Sequence, residues 1–402
     1  MGGIAGLVVL LYRLLLENAG RWLQMIQDFI TGKPLWILLW FGVLVLLALL
    51  VAKLVDFEPL ISGSGIPQLE GEMIGKIDQT WWRVLPAKFV GGFLCILGGL
   101  ALGREGPSIQ LGAMVGKGAS RYLDRGKTEE RYLLTCGASA GLAAAFHAPL
   151  AGVMFSLEEV HKNFSVSVLL SVMSASLTAD FLCTAVLGTD SVFQFTLTET
   201  LPPEYYGLLV LLGCVLGLLG VFYNWFTLKV QSLYNHIPGL STAGKILIPF
   251  LLAGVLGLVA PQLLGTGHSL VEELTAGGMA AGTMLFLVTG RFLFSAVSFG
   301  SGAPGGIFFP LLIIGAFIGG IFAQAGNWIF GIDMIYLNNF VLLAMAGYFT
   351  AIVRAPLTGI ILIFEMTGTV SQLFFPVGCG FHLCLYRGLS AEIRAHNTQS
   401  LL

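Results

Sequence analysis

Three short segments combine glycine and proline in a way that could hold an anion: Gly63-Ser64-Gly65-Ile66-Pro67, Gly103-Arg104-Glu105-Gly106-Pro107, and Gly302-Ala303-Pro304-Gly305-Gly306-Ile307-Phe308-Phe309-Pro310. In each, glycine stands just before a proline and an apolar run follows. Proline is tolerated in the first helical turn because its missing N–H would have no partner there. Each segment therefore predicts a helix N-terminus, where the first N–H groups lack an acceptor and the dipole end is positive. Several such ends aimed at one point would bind an anion with partial charges alone. Glycines such as Gly65 and Gly106 let backbone N–H groups approach the ion closely. Glycine also serves close helix packing, and Gly112-x-x-x-Gly116 and Gly315-x-x-x-Gly319 are read that way. Two side chains at the breaks add chemistry. Ser64 offers a short neutral donor, although a serine there can also cap the following helix. Glu105, if ionised, would occupy the place of an anion; protonated, it could leave and carry a proton. Pairing with Arg104 is the competing role.

The elements that position these residues are membrane helices. The 402 residues are 56% hydrophobic and 10% charged, with 20 Lys+Arg against 22 Asp+Glu. A soluble domain carries about 25% charge. The balance leaves no basic surface for nucleic acid. Glycine is the compositional anomaly, at 53 residues, nearly twice the usual ~7%. Apolar stretches fall near 4–16, 35–55, 84–102, 106–118, 132–158, 164–187, 205–228, 246–264, 279–299, 306–330, 340–363 and 372–386. Several are shorter than the roughly 20 residues of a spanning helix, or are broken in mid-run. Such irregular backbone is tolerated at membrane depth only where protein or a water-filled cavity satisfies it. No basic region or cleavage site marks a signal peptide. The six cysteines form no Cys-x-x-Cys pair and are read as small buried hydrophobes.

Short interrupted segments at matching places in two halves point to a transporter's site, and two halves are present. The run Gly103 to Gly116 aligns with Gly306 to Gly319, 203 residues later, matching one proline, three glycines and an alanine. At the same offset Lys88-Phe89 meets Arg291-Phe292. Gly63-Ser64-Gly65 meets Gly265-Thr266-Gly267, with Glu70 meeting Glu272. Ala148-Pro149-Leu150-x-Gly152 meets Ala355-Pro356-Leu357-x-Gly359, with Glu158 meeting Glu365. One transmembrane domain spanning 1–402 is expected, with repeats of roughly 1–190 and 200–388. The dense basic cluster Lys117, Arg121, Arg125, Lys127 and Arg131 places its loop in the cytoplasm. Segment 132–147 then runs outward, and Glu158-Glu159 return near the cytoplasmic side.

With these blocks in order, the chain resembles the CLC family of chloride channels and proton-coupled chloride transporters over about residues 35–370. The three breaks look like that family's signature segments, and Ala143 to Gly152 looks like a fourth. The resemblance implies an all-α, inverted-repeat bundle of tilted and broken helices. It implies a homodimer with one anion pathway per subunit, in a bacterial-type inner membrane. It makes Ser64 the central anion ligand and the backbone N–H groups of Ile307 and Phe308 the other donors. It makes Glu105 the gate and Glu159 the inner proton relay, an acid that channels of the family generally lack. A solvated Glu158/Glu159 pair at a helix end is the competing reading. Glu70 and Glu365 are expected to be structural. There is one departure. The family's inner tyrosine has no clear equivalent, since Tyr386 comes about ten residues early and the tail from Cys379 to Leu402 is polar and irregular.

Other signals are set aside. Gly300-Ser301-Gly302-Ala303-Pro304-Gly305 fits G-x-G-x-x-G without a βαβ context. Gly137-Ala138-Ser139-Ala140-Gly141 fits G-x-S-x-G, but His147 does not share a helix face with Ser139. The six histidines show no metal spacing. The expected function is chloride/proton antiport rather than enzymatic, with no cofactor. A passive chloride channel of the same fold is the alternative. Nitrate or fluoride are rival anions, and Ser64 favours chloride.

Overall fold

The computed structural model describes residues 1–188, 192, 193 and 199–368. The expectations for Cys379, Cys384, Tyr386 and the end of the second repeat lie outside the described residues. Among the described residues the fold is helical and contains no strand. The first half holds α1 (Gly2–Ile30), α2 (Pro34–Phe57), α3 (Ile66–Met73), α4 (Trp81–Leu97), α5 (Glu105–Tyr122), α6 (Lys127–Phe146), α7 (Pro149–Phe155) and α8 (Val166–Leu187). The second holds α9 (Tyr206–His236), α10 (Thr242–Val259), α11 (His268–Thr275), α12 (Ala281–Gly300), α13 (Phe308–Phe330), α14 (Leu337–Val353) and α15 (Pro356–Thr367). Among the described residues, 8 helices are long and apolar enough to cross a membrane. The protein is an integral, multi-pass membrane protein.

The first helix differs from its expected length. The apolar stretch near 4–16 is part of a 29-residue helix that runs on past Arg13, Glu17 and Arg21. Ala5, Val9, Tyr12, Leu16, Ala19 and Leu23 are all buried, and their 3–4-residue spacing forms one continuous stripe. Arg13 and Glu17 pair at 3.0 Å along the helix, so the charges need not end it. The stretch 132–158 divides at the end of the expected outward run 132–147, because His147 adopts φ 57° and closes α6 before Pro149 opens α7. Of the cysteines, Cys95, Cys136 and Cys183 are buried as expected, whereas Cys214 is exposed on α9. In a membrane helix an outward apolar position meets lipid, so the pattern that predicts burial does not separate protein from lipid.

Close packing explains the Gly-x-x-x-Gly pairs. A Cβ on Gly112 would stand 2.1 Å from the Gly137 carbonyl oxygen, and one on Gly116 would stand 2.1 Å from that of Leu133. On α13, a Cβ at Gly319 would lie 2.5 Å from the Phe340 carbonyl oxygen of α14. Glycine thus lets α5 meet α6, and α13 meet α14, at backbone contact distance.

Matching positions of the two halves meet one another. Gly103 and Gly306 exchange both backbone hydrogen bonds, each 2.7 Å, in an isolated antiparallel bridge. Reciprocal bonding between equivalent residues is what a two-fold relation produces. The pattern recurs at α7 and α15. The Glu365 carboxylate accepts from the N–H groups of Leu150 (2.9 Å) and Ala151 (2.7 Å) at the start of α7. The Glu158 carboxylate accepts from those of Leu357 (3.4 Å) and Thr358 (3.0 Å) at the start of α15. Each acid caps the partner half's helix. Glu365→Ala is expected to lower stability by about 2 kcal/mol through loss of two charge-assisted bonds. Glu365→Gln, which keeps an acceptor, should lose about half of that. Thermal melting of the purified protein checks both.

Candidate functional site

The three breaks converge. Backbone bonds tie the first to the third: Gly63 N–H donates to the Gly302 carbonyl at 3.4 Å, and Gly305 N–H donates to that of Gly63 at 3.0 Å. Ser62 Oγ adds a bond to the Gly302 carbonyl at 2.9 Å. The Gly103–Gly306 bridge ties the second to the third. The N-termini of α3, α5 and α13 are therefore brought to one place.

Gly65 is the N-cap of α3, with φ 90° in the left-handed region that glycine adopts without strain. Ser64, just before it, is buried, and its Oγ accepts from the Ile66 N–H at 3.3 Å. That contact is the cap, and it leaves the hydroxyl proton free to donate elsewhere. Gly106 lies against Ser64, since a Cβ there would stand 2.8 Å from the Ser64 carbonyl oxygen and 2.9 Å from its Cβ. Gly306 lies against Gly106 in turn, with a virtual Cβ 2.9 Å from the Gly106 nitrogen. Ile307 is the N-cap of α13 and Phe308 its first residue. Their N–H groups belong to the turn that has no acceptor within the helix. Ser64, Gly65, Gly106, Ile307 and Phe308 are thus drawn from three distant segments into one shell.

Glu105 begins α5 and is fully buried. Its carboxylate lies over Gly103, close to the N–H groups of Arg104, Glu105 and Phe309. Among the described residues, neither oxygen completes a hydrogen bond. Arg104 does not neutralise it closely: its Nε is 4.0 Å away, while its NH1 bonds Glu17 of α1 at 2.8 Å. The Arg13–Glu17–Arg104 bridge beside Glu105 is not evident from the sequence. Its only signal was an i, i+4 Arg/Glu pair in an apolar run.

Two buried cations hold the equivalent turns. Lys88 Nζ donates to the carbonyls of Ile61 (2.7 Å) and Gly63 (2.6 Å). Arg291, its counterpart, donates to the Gly265 carbonyl at 2.6 Å. Lys88 thereby ties down the two carbonyls on the N-terminal side of Ser64.

Glu159 lies apart from this shell. It sits in a π-helical turn, Ser156–Val160, that continues α7, and it is buried. Such π turns recur at functional sites. Phe155, just before the turn, packs edge-on against Phe308, with ring centroids 5.8 Å apart. The Glu158/Glu159 pair is split: Glu158 turns to α15 as a cap, and Glu159 remains in the interior. Ser139 and His147 do not pair. Among the described residues the Ser139 hydroxyl has no partner, whereas His147 Nδ1 is 2.8 Å from Asp180 Oδ1.

The sequence profile described as Voltage gated chloride channel matches residues 44–382. The chain is 37% identical over 378 residues to an H(+)/Cl(-) exchange transporter ClcA of Vibrio cholerae, spanning 91% of this chain and 80% of that protein. It is 35% identical over 389 residues to an H(+)/Cl(-) exchange transporter ClcA of Klebsiella pneumoniae, spanning 94% and 81%. Its fold resembles the crystal structure of a slow cyanobacterial Cl-/H+ antiporter, with TM-score 0.89 and 30% identity over 96% of this chain and 93% of that one. The profile match covers most of the chain, and with it the shared breaks and helix order are accounted for: the protein belongs to the CLC, or voltage-gated chloride channel, family.

Proposed function

We propose that the protein is a chloride/proton antiporter of a bacterial inner membrane. The observation that carries the reading is Glu105: a fully buried carboxyl at the N-terminus of α5 whose oxygens complete no hydrogen bond among the described residues. A group so placed has two stable alternatives. Ionised, it is held by the positive ends of α5 and α13 and blocks the pathway. Protonated, it loses that attraction and leaves the site to chloride. One side chain then couples the two ions.

In this reading chloride binds between the Ser64 hydroxyl and the N–H groups around Gly65, Gly106, Ile307 and Phe308. Partial charges bind it weakly enough for rapid release. Lys88 holds the Ile61 and Gly63 carbonyls and so fixes the turn that carries Ser64. Glu159, on the side of the basic loop, accepts protons from the cytoplasm and passes them towards Glu105. The molecule is built from two inverted repeats, about 1–190 and 200–388, a reading supported by the reciprocal Gly103–Gly306 and Glu158/Glu365 contacts. Two such chains form a homodimer, a reading that rests on family membership.

The test is simultaneous recording of chloride and pH from liposomes holding the purified protein. A chloride gradient should drive protons uphill. Chloride flux with no proton movement would make the protein a channel. Glu159→Gln should reduce proton flux at least about 100-fold, the loss expected when a positioned proton carrier is removed. Chloride flux should persist and should still rise as pH falls, because Glu105 remains.

A further inference from the structure

We infer that Gln110 is a positioning residue for the anion site, anchored through Gln79 and Glu72 to Lys117 at the basic end of α5. The inference rests on the reading of Ser64 as an anion ligand.

Gln110 is fully buried on α5. Its Nε2 donates to the Leu60 carbonyl at 2.9 Å and to Gln79 Oε1 at 2.7 Å. Both neighbours are acceptors, which fixes the orientation of the amide. Its Oε1 must then face the other way, and it faces Gly65. A Cβ on Gly65 would stand 2.2 Å from that oxygen and 2.7 Å from Gln110 Cβ. Gln110 therefore grips the chain on both sides of Ser64. It holds the Leu60 carbonyl before it and packs on the Gly65 backbone after it.

The grip is itself anchored. Gln79 accepts from Gln110 and donates through Nε2 to Glu72 Oε2 at 2.9 Å. The other Glu72 oxygen takes the Lys117 ammonium, which also bonds Asp78 Oδ1 at 2.5 Å and the Gln79 carbonyl at 2.6 Å. Glu72 and Lys117 are both buried. Asp78 reaches solvent at the rim of a 340 Å³ cavity lined by Glu72, Lys76, Asp78, Lys127, Glu130 and Arg131. The Lys117 hydrogen bond holds the Asp78 carboxyl below its usual range. Along the series Gln110 donates to Gln79 and Gln79 donates to Glu72. Loss of the Glu72 charge would loosen Gln79 first and Gln110 next. None of the hydrogen bonds named in the series is made to Glu105, so its loss is expected to bear on the anion site and to leave that carboxyl in place.

The experiment measures chloride affinity by calorimetry on purified protein, with flux and coupling ratio from liposomes. Gln110→Leu keeps the bulk and removes the donors. It should weaken chloride binding about tenfold, the effect of leaving a buried acceptor without its donor. Turnover at saturating chloride and the proton/chloride ratio should stay near wild type. Glu72→Gln should weaken chloride binding about threefold, and the double variant should lose less than the two losses combined, as coupled sites do. Unchanged affinity in Gln110→Leu, even with a lowered melting temperature, overturns the proposal, and so does strict additivity. If Gln110→Leu does not fold, Glu72→Gln decides alone, and wild-type affinity there overturns it. Ser64→Ala separates the two readings. If it leaves chloride binding intact, the anion-site assignment has failed, whatever Gln110 does.

Discussion

Glu105→Gln should abolish proton movement while chloride still crosses. Glutamine has the shape of a protonated glutamate and cannot ionise, so it neither competes with chloride for the N–H groups nor carries a proton. Proton flux should fall at least about 100-fold, to the leak of protein-free liposomes. Chloride flux should become independent of pH. In the unaltered protein it should rise as pH falls, because protonation releases the carboxyl from the helix N-termini. This pH response separates the gate from the relay: Glu159→Gln loses protons and keeps it, whereas Glu105→Gln loses both. Proton flux retained in Glu105→Gln would remove the side chain from the mechanism. Arg104 cannot mask the result, since its close partner is Glu17.

Gly106→Ala should stop chloride passage in a protein that still folds. The added Cβ would lie 2.8 Å from the Ser64 carbonyl oxygen, 2.9 Å from Ser64 Cβ and 3.1 Å from Ser64 Cα. Two of these are backbone atoms, and the third is fixed to the backbone. Ser64 itself is held by the Ile66 N–H, and its neighbour Gly63 by Lys88 and Gly302. Relief therefore requires α5 and the Ser64 turn to separate. A displacement approaching 1 Å in a positioned site reduces rate by about 100-fold. The expected result is chloride flux reduced by at least ~30-fold on that basis, with the melting temperature lowered by only a few degrees. Gly42→Ala, on a helix with nothing within 4 Å of its virtual Cβ, is the control and should behave as wild type. Near-normal flux in Gly106→Ala would show that the shell is looser than its contacts imply.

The helix N-termini were legible because their requirements are local. Pro67, Pro107 and Pro310 each stand in a first turn, and Gly65 takes the left-handed conformation that its place before α3 demands. The internal matches, such as Lys88-Phe89 with Arg291-Phe292, are visible because nearly constant spacing survives in the order of residues. Lys117 shows where local reading stopped. In sequence it belongs with Arg121 and Lys127 to a basic cluster, yet it is buried between Glu72 and Asp78, which lie on or beside a different helix. Glu158 and Glu159 are another such case, being adjacent and identical in type. Only the approach of α15 makes one a cap, and only a π turn leaves the other inside.

The order of residues therefore shows a membrane protein with three glycine- and proline-rich breaks and a set of internal sequence matches, because composition, proline placement and spacing are properties of the chain. It does not settle that Gly103 bonds its own equivalent, Gly306, or that Ser64 rests on Gly106. Nor does it show that Gln110 reaches across to Gly65. Those contacts join residues tens to hundreds of positions apart, and they form only when packing brings the helix ends together. An anion site made of backbone N–H groups has almost no side-chain signature. Its ligands become visible when the fold shows which amides share one space.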